Sequence, residues 1–498
     1  MPKATVQQFI ILPPRGLTAD AVSPTTPQST NFLLSLESIR TLGVTAAGRS
    51  KAGIKTKLRV LDSIHENGAK LVEMSPDAVS DLRAEQPGVR IVPVVYHYPA
   101  IARRPEPSAK PQSSGAALKI SLTVVSQKDG KPVANAKVVA FTDFANRVGA
   151  QGVTNAKGAV SLALGAASKK VQRLYIYSEK GFWNALKMNF SLKTGLSVAL
   201  HPIDLSFTDC LRHFYGNSPA TAGQGVKVGV IDTGIAPHPD LVIDGGVNTV
   251  VGENPQDFGD NGEGHGTHVA GIIAARGTAP AGVRGLAPAV TLRSYRVFGK
   301  NGKGASNFAI AKAIDRAVSD GCDLINMSLG GGPSDEATHS AMAQARASGT
   351  LIFAANGNDD RSPVSFPAAD SVALAISALG RKGTFPSGTT EVGDVATPFG
   401  TDKADFIAAF SNIGPETDLT GPGVGIMSTY PGGYAVLDGT SMACPAVTGA
   451  AAKLLATQPA ILQMNRDQAR SDAMASAVLQ AARSRGLGAI FEGQGLLS

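Results

Sequence analysis

The sequence is poor in cysteine and contains no long apolar run. Its 498 residues include three cysteines, Cys210, Cys322 and Cys444, which lie far apart. An odd number of widely spaced cysteines without a CxxC pair excludes a disulfide framework and a cysteine-based metal site. No stretch of about 18 or more apolar residues occurs, so the sequence predicts no membrane-spanning segment.

A strong charge of one sign is also missing. The chain has 46 Lys and Arg against 39 Asp and Glu, a net charge of +7, and its densest basic spots are pairs such as Arg103-Arg104. A net charge this small for the length of the chain does not require nucleic acid or an anionic membrane as a partner, and we expect neither. The apolar run Phe9–Leu12 is too short for a secretory signal. We therefore expect a cytoplasmic protein or one exported by a non-standard route, with the compartment itself unknown.

The composition and length predict several packed domains. Hydrophobic residues make up 43% and charged residues 17% of the chain, which is typical of globular cores. Residues 1–98 have the strand–helix–strand–strand–helix–strand order of a ferredoxin-like α+β domain. Its first helix is predicted over Thr30–Leu42, and its hairpin turn at Asn67-Gly68. The proline-rich stretch 99–116 is predicted to be a linker.

Two further domains follow from the hydrophobic pattern. Ile120, Leu122 and Val124 alternate with polar neighbours, and short strands recur through 117–202, which predicts a small β-sandwich similar to carboxypeptidase regulatory-like or Ig-like modules. Residues 203–498 alternate strands with helices, which predicts an α/β fold with a doubly wound parallel sheet. Ligands of such sheets bind at the carboxyl ends of the strands.

An acidic residue and a histidine mark two positions of that sheet. The apolar strand Val226–Ile231 runs directly into Asp232, within Asp-Thr-Gly. Aspartic peptidases share that motif but need two carboxylates, and no second copy occurs, so that alternative requires a dimer. His265 stands between glycines at the start of an apolar helix, where the backbone approaches its neighbours closely. A zinc pair of His265 with His268 lacks the HExxH glutamate and a third ligand.

A serine marks the third position. Ser441 lies in Gly439-Thr-Ser-Met-Ala at the start of an apolar helix, where free N–H groups favour developing negative charge. The plain alternative is a serine N-cap. The GxSxG elbow of the α/β-hydrolases is absent because Ala443 replaces its second glycine. Cys444, three residues further on, predicts inhibition by thiol reagents through crowding of Ser441.

Together the three segments resemble the subtilisin-like serine peptidases (subtilases), which carry Asp, His and Ser in this chain order. The resemblance implies that Ser441 is the nucleophile, that His265 is the general base and then the acid, and that Asp232 orients the imidazole. It implies a serine endopeptidase that hydrolyses extended polypeptides through an acyl-enzyme.

The same resemblance assigns further site residues. Asn358 is expected in the oxyanion hole in preference to Asn356, because it follows a glycine after the apolar strand. The remaining expected residues are those that pair with the substrate backbone (Ser328, Leu329 and Gly330), one that lines the primary specificity pocket (Ser365), and two at its rim that attract basic residues (Asp359 and Asp360). No cofactor is expected for catalysis. Asp240 matches one ligand of the family's calcium site, which leaves a structural calcium open.

The first 98 residues resemble the inhibitor-type prodomains of subtilases. The resemblance implies a zymogen whose prodomain is an intramolecular inhibitor. We expect processing near Val94–Tyr98, at the end of a strand. The alternative from another class is a catalytically idle scaffold that retains the triad but never releases the prodomain.

Overall fold

The structure is a computed structural model that describes residues 6–18, 58–65, 68–85, 88–111, 119–165, 170–300, 302 and 304–498. The helix predicted over Thr30–Leu42 and Asn67 of the predicted turn lie outside these residues. Among the helices described, none combines the length and apolar character needed to cross a bilayer.

In the N-terminal region, the described residues between 6 and 93 form an antiparallel sheet and one helix. Its elements are β1 (Gln7–Leu12), β2 (Arg59–Ser63), β3 (Lys70–Met74), a helix (Pro76–Glu85) and β4 (Arg90–Pro93), with strand order β2-β3-β1-β4. The antiparallel pairing of β2 with β3 agrees with the predicted hairpin. Ser75 Oγ accepts the Ala78 N–H at 3.3 Å and caps the helix.

The two faces of this sheet are buried against different partners. Its own helix covers one face through Ala78 and Leu82. On the other face, Leu71 belongs to the same apolar cluster as Phe308, which lies on the helix Asn307–Ser319 of the C-terminal region. The N-terminal region is therefore docked onto the rest of the molecule by its own apolar sheet face.

Residues 119–200 form two sheets that share an apolar core, and we call them the two-sheet unit. The strands are β6 (Lys119–Ser126), β7 (Lys137–Asp143), β8 (Val148–Val153), β9 (Ala159–Ala163), β10 (Lys170–Tyr177), β11 (Ala185–Ser191) and β12 (Leu196–Leu200). One sheet has the order β11-β10-β7-β8 and the other β12-β6-β9. Ile120, Leu122 and Val124 are buried as their alternation predicted. The sequence pattern did not predict β8, because its two glycines weaken the signal.

The C-terminal region, residues 203–498, is built on a mixed sheet of ten strands. These are β13 (Lys227–Asp232), β14 (Gly246–Asn248), β15 (Thr291–Arg296), β17 (Leu324–Met327), β19 (Leu351–Ala355), β20 (Leu374–Arg381), β21 (Asp405–Ile407), β22 (Thr417–Pro422), β25 (Ala482–Arg483) and β26 (Leu496–Leu497). The order is β14-β15-β13-β17-β19-β20-β22-β26-β25, with β21 beside β20. Neighbours from β14 to β26 run parallel, and β21 and β25 are antiparallel. The predicted parallel sheet is therefore present, with antiparallel additions.

Helices cover both faces of this sheet. They are Cys210–Tyr215, His265–Ala274, Asn307–Ser319, Glu336–Ala347, Thr440–Leu455, Pro459–Leu462, Gln468–Ala481 and Ala489–Glu492, with a 3-10 turn at Thr390–Asp394. His265–Ala274 and Thr440–Leu455 pack in one apolar cluster, and Asn307–Ser319 and Glu336–Ala347 in another. This two-sided cover is the doubly wound arrangement that strand–helix alternation predicts.

Two small sheets complete the fold. β5 (Tyr96–Pro99) lies between β16 (Ala305–Ser306) and β18 (Leu329–Gly330), and β23 (Ile426–Tyr430) forms a hairpin with β24 (Gly433–Leu437). The first of these joins the end of the N-terminal region to the C-terminal region by backbone hydrogen bonds.

Trp183 joins the two-sheet unit to the C-terminal region. It is 1% exposed and belongs to an apolar cluster with Met427 and Val436. Its ring centroid lies 5.5 Å from that of Phe207 in an edge-to-face arrangement. This single tryptophan is therefore the apolar anchor of the interface.

We predict that Trp183→Ala destabilises the protein by about 3–5 kcal/mol, because it removes a large buried side chain and leaves a cavity. The measurement is the midpoint of urea unfolding. Met188→Ala on the same unit is the control, since Met188 is 54% exposed and its truncation should change stability by less than about 0.5 kcal/mol. Equal effects of the two changes would contradict the anchoring role.

Candidate active site

The structure brings Asp232, His265 and Ser441 to the carboxyl edge of the sheet. Asp232 is the last residue of β13, His265 the first of its helix and Ser441 the second of its helix. The His265 Nδ1–H donates to Asp232 Oδ1 at 2.7 Å, and the same oxygen accepts the Thr233 N–H at 2.7 Å. Both side chains are buried. The imidazole is therefore held by a carboxylate that is itself fixed by the backbone.

The glycines beside His265 are required by close contacts. Gly264 has a φ of 74°, and a Cβ there would lie 2.4 Å from the Tyr430 ring. A Cβ at Gly266 would lie 2.3 Å from the Gly234 carbonyl oxygen. Any side chain at either position would displace the start of the helix and with it the His265 ring.

The second nitrogen of the His265 ring, Nε2, is the one that does not face Asp232. His265 Nε2 is buried and has no hydrogen-bond partner among the described residues. The Ser441 hydroxyl donates to the Ser328 carbonyl oxygen at 2.9 Å. The Ser441 N–H donates to the carbonyl oxygen of Ala100 at 3.1 Å. A peptide carbonyl of the chain itself therefore lies against the backbone of Ser441.

Asn358 adjoins the serine, whereas Asn356 does not. Asn358 Oδ1 accepts the N–H and the hydroxyl of Thr440 at 2.9 and 3.1 Å. Its Nδ2 is buried, without a partner in the described part of the chain. Asn356 Nδ2 instead donates to Thr417 Oγ1 at 2.9 Å. Only Asn358 offers an unused N–H beside the Ser441 segment.

The residues predicted to pair with substrate backbone hold a segment of the chain. β5 is antiparallel to β18, with Tyr98 opposite Gly330 and Pro99 opposite Leu329. The Ala100 N–H continues the ladder by donating to the Ser328 carbonyl oxygen at 3.1 Å. Residues 96–100 thus lie in an extended conformation across the carboxyl edge of the sheet.

Ser365 and Asp359 make contacts with different parts of the chain. Ser365 Oγ donates to the Asn356 carbonyl oxygen at 2.9 Å and would be 3.1 Å from a Cβ at Gly330. Asp359 Oδ1 instead accepts from Arg103 Nη2 at 2.5 Å. Since Arg103 follows Ala100, Asp359 contacts the segment beyond the serine.

His268 is a structural residue. Its Nε2–H is shared between the Ile426 and Ala435 carbonyl oxygens at 3.1 and 3.2 Å. Burial lowers the pKa of His268 to about 3, so the ring is neutral. These contacts fix its tautomer and the orientation of its ring.

The surroundings of Asp240 do not fit a calcium site. Its Oδ2 accepts the Val283 N–H at 2.9 Å and the Tyr434 hydroxyl at 3.1 Å. Calcium requires six to eight oxygen ligands, about 2.3–2.6 Å from the ion. Residues 6–18, 58–65, 68–85, 88–111, 119–165, 170–300, 302 and 304–498 contain no group of three or more His, Cys, Asp or Glu arranged to hold a metal. Asp240 therefore serves to fix its own loop.

The comparisons with known proteins agree with this α/β fold. The model of the subtilase family matches residues 223–496, more than half of the chain. The chain belongs to the subtilase family. Subtilisin BL and subtilisin Savinase, both from Lederbergia lenta, are each 42% identical over 240 residues, which cover 48% of this chain and 78% of the relative. An alkaline protease from Shouchella clausii is 42% identical over 240 residues, 48% of this chain and 56% of its own.

This subtilase is accordingly a subtilisin-like serine endopeptidase. Subtilisins need no cofactor for catalysis. The family match begins at residue 223, so the N-terminal region and the two-sheet unit lie outside it.

Burial of Cys444 changes the expectation of thiol inhibition. The residue is fully buried, its Sγ lies 4.0 Å from the Met327 carbonyl oxygen, and burial raises the pKa of its thiol. We predict that thiol reagents leave Cys444 unlabelled in the native subtilase, because the thiolate neither forms nor is reached. Peptide mapping after labelling checks this, with the guanidinium-unfolded protein as the control in which all three cysteines react. Native labelling of Cys444 would contradict the prediction.

Proposed function

We propose that this subtilase is a precursor that cuts its own chain between Ala100 and Ile101 with Ser441, His265 and Asp232. One observation carries the proposal. The Ala100 carbonyl oxygen accepts the Ser441 N–H at 3.1 Å, while residues 96–100 pair with the cleft as an extended strand. A peptide carbonyl held by the nucleophile's own backbone N–H is the arrangement of a bound substrate.

In each half of the reaction, the triad would move one proton to His265 and one proton from it. The Ser441 hydroxyl leaves the Ser328 carbonyl and gives its proton to His265 Nε2 as Oγ attacks the Ala100 carbonyl carbon. The Asp232 carboxylate stabilises the resulting imidazolium through Nδ1–H. His265 then protonates the departing amine of Ile101, leaving an ester between Ala100 and Ser441. Water, deprotonated by His265, hydrolyses that ester and restores the hydroxyl.

Two N–H donors would stabilise the oxyanion. The Ser441 N–H already reaches the Ala100 oxygen, and the Asn358 Nδ2 is unused. Thr440 holds Asn358 Oδ1 by two hydrogen bonds, which keeps the amide from turning its oxygen toward the developing charge. The donors are thus fixed before the reaction and require little reorganisation.

The N-terminal region would be the prodomain and intramolecular inhibitor. Its sheet packs on the helix Asn307–Ser319, and β5 fills the cleft. His97 is fully buried, with its ring nitrogens 2.5 Å from the Gly331 carbonyl oxygen and 3.1 Å from Asp335 Oδ2. These contacts would persist after cleavage and keep the product bound. They support a cut two residues beyond the interval Val94–Tyr98 that the sequence favoured.

The domain division follows from this cut. Residues 1–100 would be the prodomain, 101–116 the connection, 117–202 a β-sandwich domain and 203–498 the peptidase domain. The described part of the connection, 101–111, does not behave as a free spacer, because Ala102 donates to the Asp438 carbonyl oxygen at 3.0 Å and Ser108 to that of Arg147 at 3.0 Å.

Self-processing is tested by intact mass of the wild type and Ser441→Ala after incubation with a fluorophosphonate. We expect the wild type to lose residues 1–100 and gain one adduct, and the variant to stay whole and unlabelled. A new N-terminus at Ile101 identifies the bond. A wild type that remains whole and unlabelled, even after a second protease removes the N-terminal region, would favour the idle scaffold.

Asn358→Ala should lower kcat with little change in KM, because its N–H acts on the transition state. The expected loss, about 10²–10³-fold, is the magnitude known for removing one oxyanion donor from subtilisin itself. Asn356→Ala is the control, which should lower the thermal midpoint through the loss of its bond to Thr417. A larger loss of kcat in Asn356→Ala at unchanged stability would overturn the assignment.

A further inference from the structure

The chain beyond Ala100 continues through a cleft with two walls. The C-terminal region provides one wall, including Asn358, Asp394 and Asp438, and the two-sheet unit provides the other, including Tyr175 and Tyr177. The cavity between them has a volume of about 410 Å³. Residues 101–105 line it, so the segment that would follow the cleaved bond lies between the two walls.

Four residues after Ile101 make separate contacts along this cleft. The Ala102 N–H donates to the Asp438 carbonyl oxygen at 3.0 Å, and Arg103 pairs with Asp359 at 2.5 Å. The Arg104 guanidinium carbon lies 4.9 Å from the centroid of the Tyr177 ring. Further along, Glu106 pairs with Lys137 of the two-sheet unit. The segment therefore passes from the peptidase wall onto the two-sheet unit at Arg104.

Tyr177 is positioned to bind a cation at this point. It is buried, and its ring stacks on that of Tyr175 with centroids 5.7 Å apart and an interplanar angle of 9°. The charged groups that act on it electrostatically are Arg104, Asp394 and Asp438. A rigid aromatic face backed by carboxyl groups attracts a guanidinium or ammonium group.

On the peptidase wall, Asp394 and Asp438 line the cleft, and Glu391 lies near Asp438. Glu391 is fully buried, and its Oε2 lacks a hydrogen-bond partner in the described part of the chain. Burial raises the pKa of Asp438 to about 6, while the Gly425 amide and the Arg104 charge act in the opposite direction. Burial also raises the pKa of Glu391 and Asp394, and Asp438 adds to both. A cation beside these groups would favour their ionised form and would in turn be attracted by it.

Two arginines on the opposite wall, which the two-sheet unit provides, do not cancel this preference. Arg147 and Arg173 lie over the Phe144 ring, at 4.4 and 3.5 Å from its centroid, and Arg173 donates to the Tyr175 hydroxyl at 3.0 Å. Both guanidinium groups therefore share the Phe144 ring, whereas the guanidinium group over Tyr177 is that of Arg104.

Backbone hydrogen bonds hold the two-sheet unit against the segment that follows β20. The Leu186 N–H donates to the Gly388 carbonyl oxygen at 3.0 Å, and the Thr390 N–H to that of Asn184 at 3.1 Å. With the Trp183 anchor, these bonds fix the two-sheet unit relative to the peptidase residues. The cleft is thus formed by two parts of the protein that keep a constant relative position.

We propose that the two-sheet unit extends the substrate cleft on the leaving-group side, and that Tyr177 selects polypeptides with arginine or lysine at the fourth position after the cleaved bond. In the precursor, Arg104 occupies that position. This inference rests on the proposed function, because it takes Ala100–Ile101 as the cleaved bond. The β-sandwich would then be part of the substrate site and not a spacer.

The cut leaves Arg104 in the mature chain, where it would compete with a substrate for Tyr177. The test therefore compares kcat/KM of the self-processed subtilase carrying Arg104→Gln on internally quenched peptides with the sequence of residues 95–107. In this series the wild type is that Arg104→Gln background with Tyr177 intact. One peptide is unchanged, one carries lysine and one glutamine in place of Arg104. We expect arginine and lysine to be favoured over glutamine by about fivefold, the effect of a cation–aromatic contact at an exposed position. A fourth peptide, with glutamine in place of Arg103, is the positional control, since Arg103 is 83% exposed and its ion pair should contribute less.

Variants of the enzyme test whether the preference for a basic residue depends on the Tyr177 ring. Tyr177→Leu should reduce the arginine-to-glutamine ratio to below about twofold, whereas Tyr177→Phe keeps the aromatic face and should retain it. Met188→Leu, exposed on the same sheet, is the matched control and should retain the wild-type ratio. If Tyr177→Leu fails to fold, the peptide series on the wild type decides.

The outcomes separate this inference from the function on which it rests. Cleavage of the Ala–Ile bond at equal rates in the arginine and glutamine peptides would overturn the subsite and leave the proposed function intact. An unchanged ratio in Tyr177→Leu would overturn the role of the ring. A wild type that cleaves neither peptide, or a Ser441→Ala variant that cleaves both, would overturn the proposed function and the subsite with it.

Discussion

The register of β5 between β16 and β18 is the constraint on which the rest of the site depends. Tyr98 opposite Gly330 and Pro99 opposite Leu329 place the Ala100 carbonyl oxygen on the Ser441 N–H. A slip of one residue would reverse every side chain of the strand and remove that carbonyl from the serine. The same register sends the chain beyond Ala100 between the peptidase and the two-sheet unit. The few backbone hydrogen bonds of this small sheet therefore determine where the segment covers the cleft. They also determine where the chain runs before and after Ala100.

The triad is held by rigid elements, whereas its covering segment is held by many moderate contacts. Asp232 and His265 are at the ends of a buried strand and a buried helix, where close-packed glycines leave no room for movement. The covering segment depends on backbone hydrogen bonds, the buried His97 and an apolar sheet face on Phe308. The proposed removal of this cover would break contacts of this second kind and leave those that hold Asp232 and His265.

The two-sheet unit gives the molecule a second wall that a subtilase domain alone would lack. Its apolar anchor, Trp183, and its backbone bonds to Gly388 and Thr390 keep Tyr177 at a fixed place near Asp438. A ring fixed in this way binds a cation without paying the entropy of ordering a loop. Selectivity on the leaving-group side then becomes a property of the assembled domains, in keeping with the tendency of ligand sites to form at domain interfaces.

The sequence by itself was sufficient to predict the catalytic residues and most of the strands. Asp232, His265 and Ser441 could be recognised because each needs a local motif, and Ile120, Leu122 and Val124 because burial imposes a period of two. Asn358 was preferred to Asn356 from sequence, and the opposite contacts of their side chains explain the difference. Only the tertiary structure decided that Asp359 faces Arg103, that the segment after β20 packs on the two-sheet unit, and that Ala100 meets Ser441. These features arise from backbone pairing and from the meeting of distant segments, neither of which leaves a pattern in the local sequence.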